Sequence, residues 1–280
     1  MNADVNGATR IYGVIGHPVR HSLSPLMQNA AFQAAGEDAV YVAFDVAPAA
    51  LDEALGGLAA SGVAGVNVTV PHKEGAARWV RSLTPEAERA GAVNTIAFRD
   101  GSAEGHNTDG LGFVRAANQL VGSVAGKRVL LLGAGGAARG VGSALRDAGA
   151  TLVLSNRTLA KVAGLAETWG AECVAWDTAT LSATAERVDV VVNASSAGMH
   201  GVGDIPLDWR SLSARPAAID LVYAPLETAF LKAAAAAGCP VQDGLAMLAA
   251  QGELAYQFWL GSLPPEGVME KTLRARIARA

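Results

Sequence analysis

The stretch Val66-Asn67-Val68-Thr69-Val70-Pro71-His72-Lys73 joins an alternation of three valines to side chains that can do chemistry. The alternation predicts a strand whose valines share a buried face while Asn67 and Thr69 share the other. Ligands of open α/β sheets lie beyond the carboxyl ends of the strands, so Asn67, Thr69 and Lys73 are placed to meet a small polar molecule. Lysine can act as acid and base, whereas arginine stays protonated. The alternative is that Lys73 only begins an exposed helix.

Two serines and an aspartate stand where helices are expected to begin. In Ser22-Leu23-Ser24-Pro25 the proline suits the first helical position, and Ser24 suits the N-cap. Capping does not explain Ser22, so the two hydroxyls at a helix N-terminus indicate a site for an anion such as a carboxylate. Asp109, in Asn107-Thr108-Asp109-Gly110, is best explained by spacing alone as a helix cap.

A glycine-rich segment follows the apolar run 128–132. Residues 133–138 fit the pattern G-x-G-x-x-A between a predicted strand and a predicted helix, which is typical of dinucleotide binding. The next strand leads into Ser155-Asn156-Arg157-Thr158, which offers no carboxylate to hold ribose hydroxyls. Arg157 can instead pair with a 2′-phosphate, which favours NADP over NAD. The alternatives are a plain tight turn at 133–138 and a solvated Arg157 beside Thr158 as a helix N-cap.

Alternating strands and helices must position these residues. The first third predicts elements at 11–15, 24–36, 40–44, 49–60, 65–70, 93–98 and 103–106, the last two forming a hairpin. The second unit predicts elements at 111–120, 128–132, 151–154, 159–169, 188–193 and 217–221, which implies a parallel, right-handed βαβ sheet. The chain is helical from Gly244, and because termini often lie close together we expect these helices to pack on the first domain.

Composition excludes several classes of protein. The 280 residues are 51% hydrophobic with a net charge of -4, and no run of Lys and Arg indicates nucleic-acid or membrane binding. Two cysteines fit a reduced compartment, and neither a signal peptide nor a long apolar span is predicted. We therefore expect a cytoplasmic protein that is a monomer or a homodimer. The five histidines form no convincing metal set, and no Tyr-x-x-x-Lys pair occurs.

The whole pattern resembles the shikimate dehydrogenase family nearly from end to end. The segments that carry the resemblance are 22–25, 67–73, 91–95, 107–110, 133–137, 156–158, 193–195, 220–223 and 244–252. The resemblance implies an α/β fold, with an N-terminal α/β substrate-binding domain and a Rossmann-type, doubly wound NADP-binding domain. It implies domains at 1–108 with 244–280 and at 109–243, with the C-terminal helices returning to the first. It also implies reversible reduction of 3-dehydroshikimate to shikimate by NADPH, in aromatic biosynthesis.

The resemblance assigns roles to individual residues. Lys73 and Asp109 match the catalytic pair, and Ser22 and Ser24 match the serines that hold the substrate carboxylate. The other residues that match substrate-binding positions are Asn67, Thr69, Asn94, Tyr223 and Gln251. The residues that match cofactor-binding positions are Gly133, Ala134, Gly135, Gly136, Ala137, Asn156, Arg157, Thr158, Asn193, Ser195, Leu221 and Gly244. No metal is implied.

Two other functions remain open at this point. Paralogues in this superfamily act on quinate or aminoshikimate with much the same motifs, although Arg157 argues against an NAD-using quinate enzyme. A catalytically silent NADP-binding regulator would be expected to have lost the serines or the Lys73–Asp109 pair. All of these residues are present.

Overall fold

A computed structural model describes residues 5–279 of the chain. They form two compact units: one contains the residues up to Thr108 together with those from Ala249 onward, and the other is Asp109–Leu248. Each unit is a sheet covered by helices, which confirms the predicted α/β class.

The regular elements are numbered in chain order. The strands are β1 (Arg10–Gly16), β2 (Ala39–Asp45), β3 (Gly65–Val68), β4 (Ser82–Leu83), β5 (Thr95–Arg99), β6 (Ser102–His106), β7 (Arg128–Leu132), β8 (Thr151–Ser155), β9 (Glu172–Cys173), β10 (Val190–Asn193), β11 (Ala217–Asp220) and β12 (Val241–Gln242). The helices are α1 (Ser24–Ala35), α2 (Leu51–Ala60), α3 (Lys73–Trp79), α4 (Pro85–Ala90), α5 (Asp109–Val121), α6 (Gly136–Asp147), α7 (Ala160–Trp169), α8 (Thr178–Ala185), α9 (Ala229–Ala236), α10 (Gly244–Leu260) and α11 (Val268–Ile277).

The first unit is built on a mixed sheet with the strand order β2-β1-β3-β5-β6-β4. β1 pairs in parallel with β2 and β3, whereas β5 runs antiparallel to both β3 and β6. The predicted hairpin is confirmed as β5 and β6. Its turn passes through Asp100 and Gly101, whose φ angles of 51° and 73° are those that a type I′ turn requires.

Strand β3 is shorter than the sequence predicted. It ends at Val68, and the chain turns at Thr69, whose carbonyl accepts a hydrogen bond from the His72 N–H. Val66 and Val68 are buried, but Val70 is 69% exposed. The prediction that all three valines share a buried face is therefore wrong for Val70, because this residue has already left the sheet.

The second unit is a doubly wound parallel sheet with the order β9-β8-β7-β10-β11-β12. Numbered within the unit this is 3-2-1-4-5-6, the order of the Rossmann fold. Val129 and Leu131 of β7 pack in one core while Leu130 and Leu132 pack in another. Strand β7, which is apolar after Arg128, is thus covered on both faces, as predicted.

Helix α10 passes from the second unit into the first between Leu248 and Ala249. Its later turns pack in the first unit, where the Gln28 side-chain amide donates to the Gly252 carbonyl at 3.0 Å and the Trp259 indole donates to the Ile96 carbonyl at 2.9 Å. Helix α11 packs on α1. The return of the C-terminal helices to the first unit is confirmed. Across residues 5–279, none of the helices has the length and apolar character needed to cross a membrane.

Candidate active site

Lys73 is the first residue of α3, and neighbouring backbone groups fix its position. The Val93 N–H donates to the Lys73 carbonyl at 2.9 Å. The preceding His72 is only 2% exposed, and its Nε2 donates to the Val46 carbonyl at 2.7 Å. Lys73 itself is half-buried. Lys73 does begin a helix, as the alternative required, but its side chain is not fully exposed, and its catalytic role stays a prediction.

Thr69 stands just after β3 and beside the end of β1. It is half-buried, and its Cγ2 lies 2.5 Å from where a Cβ on Gly16 would be. Packing therefore explains the glycine at position 16, because any larger residue would displace Thr69. The Thr69 N–H donates to the Ile15 carbonyl at 2.9 Å, which continues the parallel pairing for one residue beyond β3.

Asn67 belongs to a buried polar network within the first unit. Its Nδ2 donates to the Asn94 carbonyl at 3.1 Å and to Thr95 Oγ1 at 3.0 Å, and its Oδ1 accepts from the Tyr41 hydroxyl at 2.7 Å. Thr95 Oγ1 in turn donates to Asn94 Oδ1 at 3.0 Å. A buried polar group is costly unless it is hydrogen-bonded, so this network holds both asparagine side chains in one orientation.

The network continues from Asn94 to the residue that precedes Asp109. Asn94 Nδ2 donates to Thr108 Oγ1 at 2.9 Å, and Asn94 Oδ1 accepts from the Thr108 N–H at 2.9 Å. Thr108 is fully buried, and Asn94 is 2% exposed. The sequence did not single out Tyr41, Thr95 or Thr108. A polar residue at a buried position of a strand needs a hydrogen-bond partner. The presence of such residues in the predicted strands could have identified Tyr41 and Thr95.

The hydrogen bonds at the start of α1 differ from those that the sequence predicted. Leu23 is the N-cap of α1, with helical angles and no capping side chain. Ser24 is therefore not the N-cap that the sequence predicted, because the backbone is already helical one residue earlier. Ser22 instead accepts a hydrogen bond from the Ser24 N–H at 3.3 Å. Burial raises the pKa of the Tyr41 phenol well above its ordinary value.

The remaining residues expected at the substrate lie in both units. Gln251 is a half-buried residue of α10 in the first unit. Asp109 and Tyr223 are half-buried in the second unit. Asp109 is the first residue of α5, where a carboxylate is stabilised by the helix dipole. Burial raises the pKa of the Tyr223 hydroxyl. The pairing of Lys73 with Asp109 stays a prediction.

The glycine-rich turn connects β7 to α6 as the dinucleotide pattern requires. Gly133 has φ +130°, and a Cβ there would lie 2.7 Å from the Ala194 carbonyl oxygen, so this position demands glycine. At Gly135 and Gly136 an added Cβ would meet no protein atom within 4 Å. Protein packing does not explain these two glycines, whereas close approach of a ligand does. No side chain caps α6, so its first N–H groups suit a diphosphate.

The end of β8 carries the residues expected to recognise the adenosine phosphate. Arg157 is exposed and lines a cavity of about 350 Å³ together with Ser195 and Asp204. Asn156 Nδ2 donates to the Thr158 carbonyl at 2.9 Å, which closes the loop after the strand. The expectation that Thr158 caps the next helix is wrong. Leu159 precedes α7 with helical angles, and no side chain caps that helix.

A second buried network supports the loops that face the glycine turn. Asn193 Nδ2 donates to Asp220 Oδ1 at 2.8 Å, and Asn193 Oδ1 accepts from the Ser195 hydroxyl at 2.7 Å. Asp220 also accepts from the Thr228 hydroxyl at 2.7 Å and from the Val222 N–H at 2.9 Å. Burial raises the pKa of the Asp220 carboxyl despite these bonds. Asn193 and Ser195 are thus held at the carboxyl end of β10, beside Gly133.

Two further residues that the sequence assigned to the cofactor, Leu221 and Gly244, meet at the start of α10. A Cβ on Gly244 would lie 2.4 Å from the Leu221 carbonyl oxygen, so the chain there requires glycine. Leu221 follows β11 and its N–H donates to the Asn193 carbonyl at 3.0 Å. Among residues 5–279, no group of three or more His, Cys, Asp or Glu side chains could hold a metal ion.

The second unit has the features of a dinucleotide-binding unit of the NADP type. These are the Rossmann strand order, the glycine turn, and an arginine instead of a carboxylate just after β8. Family models agree with this class. They match residues 14–96 (shikimate dehydrogenase substrate binding domain), 115–203 (shikimate/quinate 5-dehydrogenase) and 244–274 (shikimate 5'-dehydrogenase C-terminal domain). The chain belongs to the shikimate dehydrogenase family.

Individual relatives match the chain over nearly its full length. A shikimate dehydrogenase (NADP(+)) of Geobacter sp. (strain M21) is 46% identical over 283 residues, which is 98% of each chain. A crystal structure of a shikimate dehydrogenase in complex with NADP+ superposes with a TM-score of 0.90 at 37% identity, over 98% of this chain and 97% of that one. The enzyme from Thermus thermophilus, in complex with NADP(H) and shikimate, gives a TM-score of 0.86 at 40% identity, over 95% and 99%.

Proposed function

We propose that this protein is an enzyme that reversibly reduces 3-dehydroshikimate to shikimate with NADPH, in the route to chorismate and the aromatic amino acids. The observation that carries the proposal is the chain-length match, at 46% identity, to a relative named shikimate dehydrogenase (NADP(+)). The buried network beneath Asn67 and Asn94 supports it, because a site that reads hydroxyl groups needs fixed amide and hydroxyl partners.

Lys73 is the proton donor in this proposal. When bound, NADPH supplies the hydride that reaches the carbonyl carbon of the substrate. The Lys73 ammonium stabilises the negative charge that grows on the carbonyl oxygen and donates the proton that completes the alcohol. In the reverse direction the Lys73 amine accepts that proton. Asp109 orients the lysine and accepts a hydrogen bond from a neighbouring substrate hydroxyl.

The substrate is held by polar side chains of complementary chemistry. Ser22 and Ser24 donate hydrogen bonds to the carboxylate at the start of α1, where the helix dipole also favours an anion. Besides Asp109, the residues that bind the hydroxyl groups of the ring are Asn67, Thr69, Asn94 and Gln251. Tyr223 also contributes to the substrate site.

The cofactor is held by the second unit. The backbone of the turn at 133–137 receives the diphosphate, and Arg157 with Asn156 and Thr158 receives the 2′-phosphate and adenine. Asn193, Ser195, Leu221 and Gly244 complete the set of residues that we assign to the cofactor. We accordingly propose residues 1–108 with 244–280 as the substrate-binding domain and 109–243 as the NADP-binding domain. We further propose that the enzyme acts in the cytoplasm, where free cysteines such as its two are usual. We propose a monomer or a homodimer as its oligomeric state.

A substrate and cofactor panel tests the activity. Purified protein is assayed by nicotinamide absorbance with shikimate, quinate and an aminoshikimate, each with NADP⁺ and with NAD⁺. We expect the highest kcat/KM for shikimate with NADP⁺. Quinate belongs in the panel because the family model over residues 115–203 covers both substrates. A higher kcat/KM with quinate or an aminoshikimate would indicate a paralogous dehydrogenase. NADP⁺ binding without turnover of any substrate would favour a catalytically silent NADP-binding regulator.

Alanine substitutions in the glycine turn separate folding from cofactor binding. Gly133→Ala is expected to destabilise the protein by about 1–3 kcal/mol, because φ +130° is strained for alanine and its Cβ meets the Ala194 carbonyl. Gly135→Ala has φ -77° and open space, so we expect an unchanged melting temperature. Its methyl group should nevertheless cost about 1–3 kcal/mol of NADP⁺ affinity by crowding the diphosphate. Thermal unfolding and isothermal titration measure the two effects, and wild-type NADP⁺ affinity in Gly135→Ala would contradict the role given to the turn.

A further inference from the structure

Tyr41 lies on β2 with its hydroxyl group inside the first unit. The side chain is 1% exposed, and its ring packs against Trp259 at a centroid distance of 6.2 Å. Phenylalanine would fill the same space, so packing alone does not account for the hydroxyl. Burying a hydroxyl is unfavourable unless it is hydrogen-bonded. The partners of this hydroxyl therefore indicate what it does.

The hydrogen bonds around Asn67 fix the direction of the bond from Tyr41. Asn67 Nδ2 faces the Asn94 carbonyl oxygen, which can only accept, so the nitrogen and oxygen of this amide are assigned without ambiguity. Asn67 Oδ1 must then accept, and the Tyr41 hydroxyl donates to it at 2.7 Å. The phenol therefore donates its one proton to Asn67.

One hydrogen-bond acceptor position of Asn67 remains for a ligand. Within the described residues both of its amide N–H groups are used, by the Asn94 carbonyl and Thr95 Oγ1, and one lone pair of Oδ1 is used by Tyr41. An asparagine amide has two donors and two acceptor lone pairs. The side chain therefore presents an acceptor, and a ligand hydroxyl meets it as a donor.

We propose that Tyr41 is a positioning residue for the substrate, whose hydroxyl holds the Asn67 side chain in the orientation that presents its remaining acceptor to a ligand. The inference rests on the proposed function, because it takes Asn67 as a residue that binds a hydroxyl of shikimate. Tyr41 does not touch the substrate. Its hydrogen bond at 2.7 Å fixes the amide of Asn67 before the substrate arrives.

Tyr41→Phe tests the proposal, because it removes the hydroxyl and keeps the ring. We expect the KM for shikimate to rise roughly tenfold, about the worth of one hydrogen bond. Less than roughly a threefold fall in kcat and an unchanged KM for NADP⁺ are expected, since the proton donor and the second unit are intact. Tyr256→Phe is the matched control. Tyr256 is also 1% exposed in the first unit and packs on Phe32, and no hydrogen bond of its hydroxyl is found among the described residues.

A double-mutant cycle with Asn67→Ala distinguishes an effect through Asn67 from a general loosening of the unit. If Tyr41 acts through Asn67, the rise in KM of the double variant will be smaller than the product of the two single rises. A wild-type KM for shikimate in Tyr41→Phe would overturn the proposal, as would a multiplicative double variant. The proposal would also be overturned if circular dichroism showed that Tyr41→Phe does not fold whereas Tyr256→Phe does. No shikimate turnover by the wild-type protein would overturn the proposed function and this inference together.

Discussion

Replacing Lys73 by alanine is expected to lower the turnover number for shikimate oxidation by roughly 10²- to 10⁴-fold, the usual worth of a positioned acid-base group. Lys73 begins α3 in a half-buried position, and hydrogen bonds to its own carbonyl and from the preceding His72 hold the backbone. Loss of the side chain leaves these anchors in place. The affinity for NADP⁺ should stay nearly unchanged, which steady-state kinetics and isothermal titration would measure side by side.

Two further variants show which property of Lys73 matters. Lys73→Arg keeps a positive charge but cannot exchange its proton near neutral pH, so it should lose turnover as alanine does. Lys271→Ala removes an exposed lysine from α11, in the same unit, and should behave as wild type. Turnover retained by Lys73→Arg would mean that the lysine acts through its charge alone. Lost NADP⁺ binding in Lys73→Ala would point to a structural role.

Arg157→Ala is expected to raise the Kd for NADP⁺ by roughly 10- to 100-fold while leaving the Kd for NAD⁺ unchanged. The basis is the guanidinium at the end of β8, which lines the cavity beside Ser195 and can pair with a 2′-phosphate. Hydrogen bonds to charged groups are worth about 1.5–3 kcal/mol, and NAD lacks the phosphate that would make them. The ratio of the two affinities, measured by titration calorimetry, therefore isolates this contact.

Arg210→Ala is the control for a general change in charge. Arg210 is an exposed arginine of the second unit, away from the glycine turn in the sequence, and its removal lowers the net charge equally. It should weaken NADP⁺ and NAD⁺ binding little and to the same extent. An equal loss of both cofactors in Arg157→Ala would contradict recognition of the 2′-phosphate. It would indicate instead that the arginine stabilises the loop.

The sequence predicted most of the scaffold because local periodicity and composition carry that information. The apolar run of β7 was predicted with its observed bounds, since a strand buried on both faces is continuously apolar. The hairpin of β5 and β6 was predicted from its turn residues. The helix starts were predicted less well, because a serine or threonine before a helix satisfies the capping pattern whether or not it caps. Ser24 and Thr158 both fit the pattern, and neither caps its helix.

The sequence by itself determined the strand-turn-helix frame, the glycine turn and the residue types that suit acid-base and phosphate chemistry. The resemblance to a family added their roles. Only the tertiary structure decided which polar groups meet, because the partners are distant along the chain: Tyr41 and Asn67 are 26 residues apart, and Asn193 and Asp220 are 27 apart. Local patterns carry no information about such pairs. They form because each strand end in a sheet brings its polar residues beside those of its neighbours, where burial requires every one of them to find a partner.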